Sequence, residues 1–272
     1  MTTRPPAAPR LPKLVATDLD GTLVRGDGSV SDYTRSVLKQ LDALGVPVIF
    51  VTGRPLRWTE VVFEHVGSLG LAIVSNGALV WDVAASVPRL ERAMSAEQVL
   101  EAAARLRAAR PSLRFAVETL GGIALEPGFD ERAELPTGTR RAPIEELVDE
   151  PVLKLLARHE SLDADDFCLT ATDVVGDSAT VTWSDHTTLL EISAAGVTKA
   201  STLELVADEL GVAAAEVIAF GDMPNDLPML TWAGTSYAMA DAHPSVVSCA
   251  THLAPGHEED GVARVLAGVF DL

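Results

Sequence analysis

The chain is poor in cysteine and in positive charge, and it has no long apolar run. Its two cysteines, Cys168 and Cys249, are too few for a disulfide framework, which fits a reducing compartment. Lysine and arginine number 21 against 39 acidic residues, for a formal charge of −18. A nucleic-acid binder needs a basic surface, so no nucleic-acid partner is expected. The same charge disfavours anionic membranes, and any anionic substrate then needs a locally positive site or a metal. No apolar run approaches the ~18 residues of a membrane span. Residues 1–12 carry Pro5, Pro6, Pro9 and Pro12 and lack the apolar segment of a secretory signal. They read as a flexible tail on a cytoplasmic chain.

What is present is an alternation. At 272 residues the chain has room for one large domain or two modest ones. Residues 13–17, 46–51 and 71–74 are short apolar runs that read as buried strands. Between the first two, Ser31 opens a helical stretch with Val37, Leu38, Leu41 and Leu44, and Gly45 stops it. Pro55 suits the first position of the helix after residue 52. The C-terminal third repeats the pattern, with helix 200–210, strand 216–220, helix 224–232 and strand 235–239. Apolar strands alternating with amphipathic helices predict an α/β fold, a Rossmann-like doubly wound parallel sheet covered on both faces. Residues 83–189 differ. An alanine-rich helix at 96–109, short alternating segments at 113–119 and 179–183, and a polar loop at 127–143 read as an inserted α+β domain. Residues 1–82 and 190–272 then form the two parts of the core.

Four segments carry chemistry. Asp18-Leu19-Asp20-Gly21-Thr22 follows the first strand. Carboxylates two apart on extended chain share a face and repel unless a cation or proton intervenes. An isolated Asp-Gly is an ordinary turn, but open α/β sheets bind ligands at the carboxyl ends of their strands. Gly221-Asp222-Met223-Pro224-Asn225-Asp226 follows another apolar strand. Its acids could cap a helix. Together with Asp18 they also suggest an oxygen-ligand site for Mg²⁺. Thr52-Gly53-Arg54 offers a hydroxyl and backbone N–H groups as an anion seat, or a plain cap. Lys199 begins a helix and, unless merely solvated, supplies the cation that such carboxylates need to hold a phosphate.

In this order the four segments resemble the motifs of the haloacid dehalogenase-type phosphatases. Residues 75–78 (Ser-Asn-Gly-Ala), Leu190-Glu191-Ile192, Asp260-Gly261-Val262-Ala263 and the long insertion are similar to the Cof-type branch with a large α/β cap, type IIB. The resemblance covers 13–82 and 190–270. Two positions depart from it. Ala200 stands where the family often has glycine, a minor change if the residue is helical; Asp241 stands where it often has asparagine, and this second change bears on phosphate affinity or substrate choice.

The resemblance implies a Mg²⁺-dependent phosphatase acting on a small phosphorylated metabolite such as a sugar phosphate. Asp18 would be the nucleophile that forms an aspartyl-phosphate, and Asp20 the general acid and base. Mg²⁺ would be held by Asp18, the Asp20 carbonyl and Asp222. Thr52, Gly53, Lys199 and Asn225 would hold the phosphoryl oxygens, and Asp226 would orient Lys199. The insertion would be a cap that chooses the leaving group. Arg54, Trp183 and His186 are candidates for substrate contact; otherwise Trp183 is cap core and His186 a solvated loop residue. The remaining histidines, 159, 243, 252 and 257, show no metal-ligand spacing. A phosphomutase of similar core and cap, or a catalytically silent phospho-ligand binder, is the alternative. A receiver-type signalling domain is about half this length and lacks both the second aspartate of the first motif and the cap.

Overall fold

The computed structural model describes residues 11–65, 67, 70–130, 134–159, 164–183 and 188–272. The strands in chain order are β1 (Leu14–Thr17), β2 (Val48–Val51), β3 (Leu71–Val74), β4 (Leu79–Asp82), β5 (Val87–Glu91), β6 (Arg114–Thr119), β7 (Gly122–Leu125), β8 (Lys154–Arg158), β9 (Ala179–Thr182), β10 (Leu189–Ala194), β11 (Val217–Gly221), β12 (Thr235–Met239) and β13 (His252–Ala254). The α-helices are α1 (Asp32–Ala43), α2 (Glu60–Phe63), α3 (Ala96–Ala109), α4 (Ala164–Val175), α5 (Lys199–Glu209), α6 (Leu227–Trp232), α7 (Pro244–Cys249) and α8 (Gly261–Phe270).

Strand β1 is buried at every residue, as a central strand covered on both faces must be. Leu14 and Ala16 pack with Leu203 and Val206 of α5 and Met229 and Leu230 of α6. Val15 points the other way, to Val37, Leu38 and Leu41 of α1 and Leu266 of α8. This alternation is the doubly wound sheet expected from the sequence. Its order is β13-β12-β11-β1-β2-β3-β4-β5. The pairs from β13 to β3 are parallel; β3–β4 and β4–β5 are antiparallel. The hairpin β4–β5 carries this sheet on to Glu91.

The second sheet, β7-β6-β8-β10-β9, is antiparallel at every pairing. Its strands alternate with period two. Phe115 and Val117, Leu155 and Ala157, and Leu190 and Ile192 pack under α3 and α4 with Val99, Leu106 and Phe167. The intervening residues occupy the opposite face, which is turned toward the larger sheet. Among the described residues, no helix is long and apolar enough to cross a membrane.

Candidate active site

Sheet order brings the motifs together. Strand β1 lies between β11 and β2, so the segments after these three strands meet at one edge, where open α/β sheets bind ligands. The Asp18 N–H still donates to Phe220 O at 3.1 Å, which holds the two loops in register. Lys199 is the first residue of α5, behind a capping box in which Thr198 and Ser201 bond each other's backbone N–H. That cap aims its ammonium into the cluster. Lys199 Nζ donates to Asp18 Oδ1 at 2.6 Å and to Asp226 Oδ1 at 2.7 Å. Asp226 Oδ2 accepts the N–H of Asp222 and of Met223, each at 3.1 Å. Capping and site-building are thus the same contact at Asp226.

Glycines permit the close approaches. Gly21 has φ +68°, and a Cβ there would fall 2.3 Å from Asp222 Oδ2. Thr22 Oγ1 meanwhile donates to Asp222 Oδ1 at 3.0 Å. A Cβ on Gly221 would meet the Asp226 side chain at 2.6 Å.

Burial pushes the Asp18 carboxyl well above the usual carboxylate range; Lys199 pulls it down, and Asp226, Asp222 and Asp20 push it further up. Asp222 is raised to about 7, by burial first and then by Asp226. Burial works against a charged Lys199, but Asp18 and Asp226 overcome it and its pKa is raised. Among the described residues, Asp18, Asp222 and Asp226 offer carboxylate oxygens within 4.8 Å of one another. Three acids therefore face one buried ammonium, an excess of negative charge that fits a divalent cation with oxygen ligands. Both oxygens of Asp226 are already engaged, so Asp18 and Asp222 suit that role better.

The loop after β2 departs from the expected helix start. Pro55 caps a single 3-10 turn, Leu56–Trp58, with an extended ψ of 158°, and α2 that follows has only four residues. Thr52 Oγ1 accepts the Arg54 N–H at 3.0 Å. The Arg54 guanidinium clasps Asp20, with Nε on Oδ2 at 2.7 Å and Nη2 on Oδ1 at 2.5 Å, while Nη1 bonds Trp58 O at 3.1 Å. The hydrogen bonds that Arg54 donates to Asp20 raise the Arg54 pKa.

The open face of the small sheet closes over this edge and carries charge. Glu118 of β6 stands directly opposite Lys154 of β8, and Glu191 of β10 lies beside them. Lys154 Nζ donates to Glu191 Oε1 at 2.5 Å and to the Gly53 carbonyl at 2.8 Å, and lies 3.3 Å from Glu118 Oε2. Its pKa is raised because Glu118 and Glu191 outweigh its burial. Arg57 Nη1 bonds Glu118 Oε1 at 2.9 Å. Glu191 Oε2 accepts from Asn76 Nδ2 at 3.0 Å, and Asn76 Oδ1 accepts from Asn225 Nδ2 at 3.0 Å. The carboxylate fixes which way the Asn76 amide faces, and Asn76 in turn fixes Asn225.

Between the two sheets is a cavity of about 580 Å³, well above the volume of a phosphate group and within the range of small-molecule sites. Asp18, Asp20, Gly53, Arg54 and Asn225 line it on one side, and Glu118, Lys154, Leu156, Leu189 and Glu191 on the other. Thr52, Lys199, Asp222 and Asp226 stand directly behind the first group. Trp183 does not join them. It is buried in the apolar cluster of the small sheet that also takes in Met223, edge-to-face with His243, the residue before α7, at 5.4 Å. His186 lies outside the described residues. Asp241 is paired with His257 at 2.8 Å, away from the cavity wall, and Ala200 sits inside α5. Sequence reasoning passed over Glu118 and Lys154 as site residues. It noted Asn76 and Glu191 only within motifs. A charged residue flanked by apolar ones in three short strands was the signal available.

A buried carboxylate, a second acid two residues on, a buried lysine and a further acidic loop under an inserted sheet suit phosphoryl transfer. The chain belongs to the haloacid dehalogenase-like hydrolase family, whose model matches residues 15–266. It is 27% identical over 254 residues to a 5-amino-6-(5-phospho-D-ribitylamino)uracil phosphatase of Bacillus subtilis, covering 93% of this chain and 94% of that one. It is 29% identical to an HMP-PP phosphatase of Yersinia pseudotuberculosis, covering 86% of each. A crystal structure from Streptococcus mutans superposes with a TM-score of 0.83 at 22% identity, covering 96% of this chain and 99% of that one. A phosphatase of the same superfamily from Bacteroides thetaiotaomicron superposes with a TM-score of 0.81 at 22% identity, over 99% and 100%.

Proposed function

We propose that this hydrolase is a Mg²⁺-dependent phosphatase that cleaves a small phosphorylated metabolite through an aspartyl-phosphate. The observation that carries the reading is the buried cluster in which Lys199 bridges Asp18 and Asp226 at the floor of the cavity. The names of the relatives, phosphatases of a ribitylamino-uracil phosphate and of HMP-PP, support the reaction class.

Asp18 attacks phosphorus and the alcohol leaves, so one difficult displacement becomes two easier ones. Lys199, Asn225 and the backbone around Thr52 and Gly53 hold the phosphoryl oxygens, and this cage supplies much of the rate by position and charge. Asp226 positions Lys199 and the turn that bears Asp222. Asp20 protonates the leaving oxygen and then takes a proton from the attacking water. Arg54 occupies both Asp20 oxygens, so one of the two bonds must open for Asp20 to face a leaving group, the other keeping the guanidinium paired. Asp18, the Asp20 carbonyl and Asp222 would hold Mg²⁺, which when bound offsets the repulsion between a carboxylate nucleophile and an anionic ester. The small sheet with α3 and α4 acts as a cap that excludes bulk water; its β10 runs past residue 189, while β5, within 83–189, belongs to the larger sheet.

The test is phosphate release from a panel of phosphomonoesters, with Mg²⁺ and with excess chelator. Release that needs Mg²⁺ and disappears in Asp18→Asn is expected. Equal release by a folded Asp18→Asn protein would remove the nucleophile assignment.

A further inference from the structure

We infer that the alcohol portion of the ester is uncharged, bears hydroxyl or N–H donors, and is read by Glu118. This rests on the phosphatase reading of the same site and extends it from the phosphoryl group to the leaving group.

The first ground is that the cations on the cavity wall are committed. The ammonium of Lys154 donates to Gly53 O at 2.8 Å and Glu191 Oε1 at 2.5 Å, and forms a longer ion pair with Glu118 Oε2 at 3.3 Å. Arg54 is held by both oxygens of Asp20 and by the Trp58 carbonyl. Arg57, behind the wall, bonds Glu118 and stacks on the Trp58 ring at 4.4 Å. Once Lys199 and the phosphate loop hold the phosphoryl group, no cation among the described lining residues is left for a second anion. An anionic leaving group would have to pull a cation from a buried carboxylate and strand that carboxylate.

The second ground is that acceptors are in surplus. The Glu118 side chain is 3% exposed. Its Oε2 has only the 3.3 Å ion pair with Lys154 and no aligned hydrogen bond, and the buried Oδ1 of Asn225 accepts none. Both residues line the cavity. A buried acceptor without a donor is costly, and a hydroxyl or N–H on the bound molecule relieves that cost. The remaining wall, with Trp58, Leu156, Leu189 and Met223, is apolar and suits a carbon skeleton or a flat ring. Glu118 is the specificity-determining residue of this arrangement because its carboxylate both favours a donor and repels a second negative charge.

A matched pair of esters tests this on the full-length protein: ribitol 5-phosphate and 5-phosphoribonate, which differ in a terminal CH₂OH against a carboxylate. The expected kcat/KM ratio favours the polyol ester by about tenfold or more, chiefly through KM. Glu118→Gln is expected to cut that ratio several-fold, because the charge that rejects the acid is gone. If Glu118 served only to hold Arg57 and Lys154 in place, both esters would lose activity together and the ratio would stay fixed; that result overturns the inference. A wild-type ratio of one or below also overturns it, and this reading holds even if the variant fails to fold. Release from p-nitrophenyl phosphate together with such a ratio leaves the phosphatase reading standing. No release from any of the three esters overturns both.

Discussion

The two sides of the cavity are built by different rules. On the larger sheet, three site segments follow parallel strands at their carboxyl ends, Asp18 after β1, Thr52 after β2 and Asp222 after β11, and Lys199 opens α5 to meet them. On the smaller sheet, the residues that meet them lie within antiparallel strands, Glu118 in β6, Lys154 in β8 and Glu191 in β10. The charge balance differs as well. Three acids face one ammonium at the core edge. Across the cavity, Glu118 and Glu191 are matched by Lys154 and Arg57. A site left unbalanced invites a cation and does chemistry. A balanced one shapes what may enter.

The largest effect should fall on the core side. Asp18→Asn keeps the shape of the side chain and removes its nucleophilic oxygen; turnover should drop on the order of 10³-fold or more in a steady-state phosphate-release assay. A drop of only a few-fold, with the fold intact, would mean that the core edge merely binds. Next comes Lys199→Met. It leaves Asp18 and Asp226 buried without their shared counter-charge, which should cost about 3–5 kcal/mol in denaturant unfolding as well as activity. On the cap side, Lys154→Met should act more on binding. The change frees the Gly53 carbonyl and strips a partner from two glutamates, so KM should rise by about tenfold, with a smaller fall in kcat. A kcat loss as deep as that of Asp18→Asn would erase the division of labour between the two faces.

The same contrast explains what could be read from the sequence. The parallel core announced itself because fully buried strands are continuous apolar runs, and because function follows them at once. The run at 71–74 coincides with β3 and the helix at 96–109 with α3. The turn chemistry after Val51 was harder to read. Pro55 is compatible with a helix start, yet the chain makes one 3-10 turn there, with Arg54 reaching back to Asp20. The cap face was nearly invisible. In Phe115-Ala116-Val117-Glu118, period two assigns Glu118 to the face opposite Phe115 only in the ordinary sense of apolar in and polar out. Such a face normally meets water. That this one meets another sheet follows from tertiary packing, which no local pattern encodes. Trp183 shows the converse: the sequence left open ligand contact or cap core, and the side chain is buried in an apolar cluster, because a large aromatic in a cap can fill a core as readily as it can face a ligand.

The smallest effect is the most selective between the two faces. Without metal, Asp222 titrates near 7 rather than at its usual 3.8. The folded protein then holds a proton that the unfolded chain has already released, so stability should fall as pH rises from about 4 to about 7. Asp18, also raised, acts with the same sign. The raised pKa of Lys154 contributes stability that is lost only above the usual lysine value, outside this window. Melting in excess chelator should therefore drop between pH 5 and pH 8, and Mg²⁺ should restore more at pH 8 than at pH 5, because protons and the ion compete for the same carboxylates. Asp222→Asn should abolish most of that pH-dependent gain, whereas Glu118→Gln, on the balanced face, should leave it in place. A Mg²⁺ shift equal at both pH values would place the ion away from the core edge and undo the contrast between the two faces.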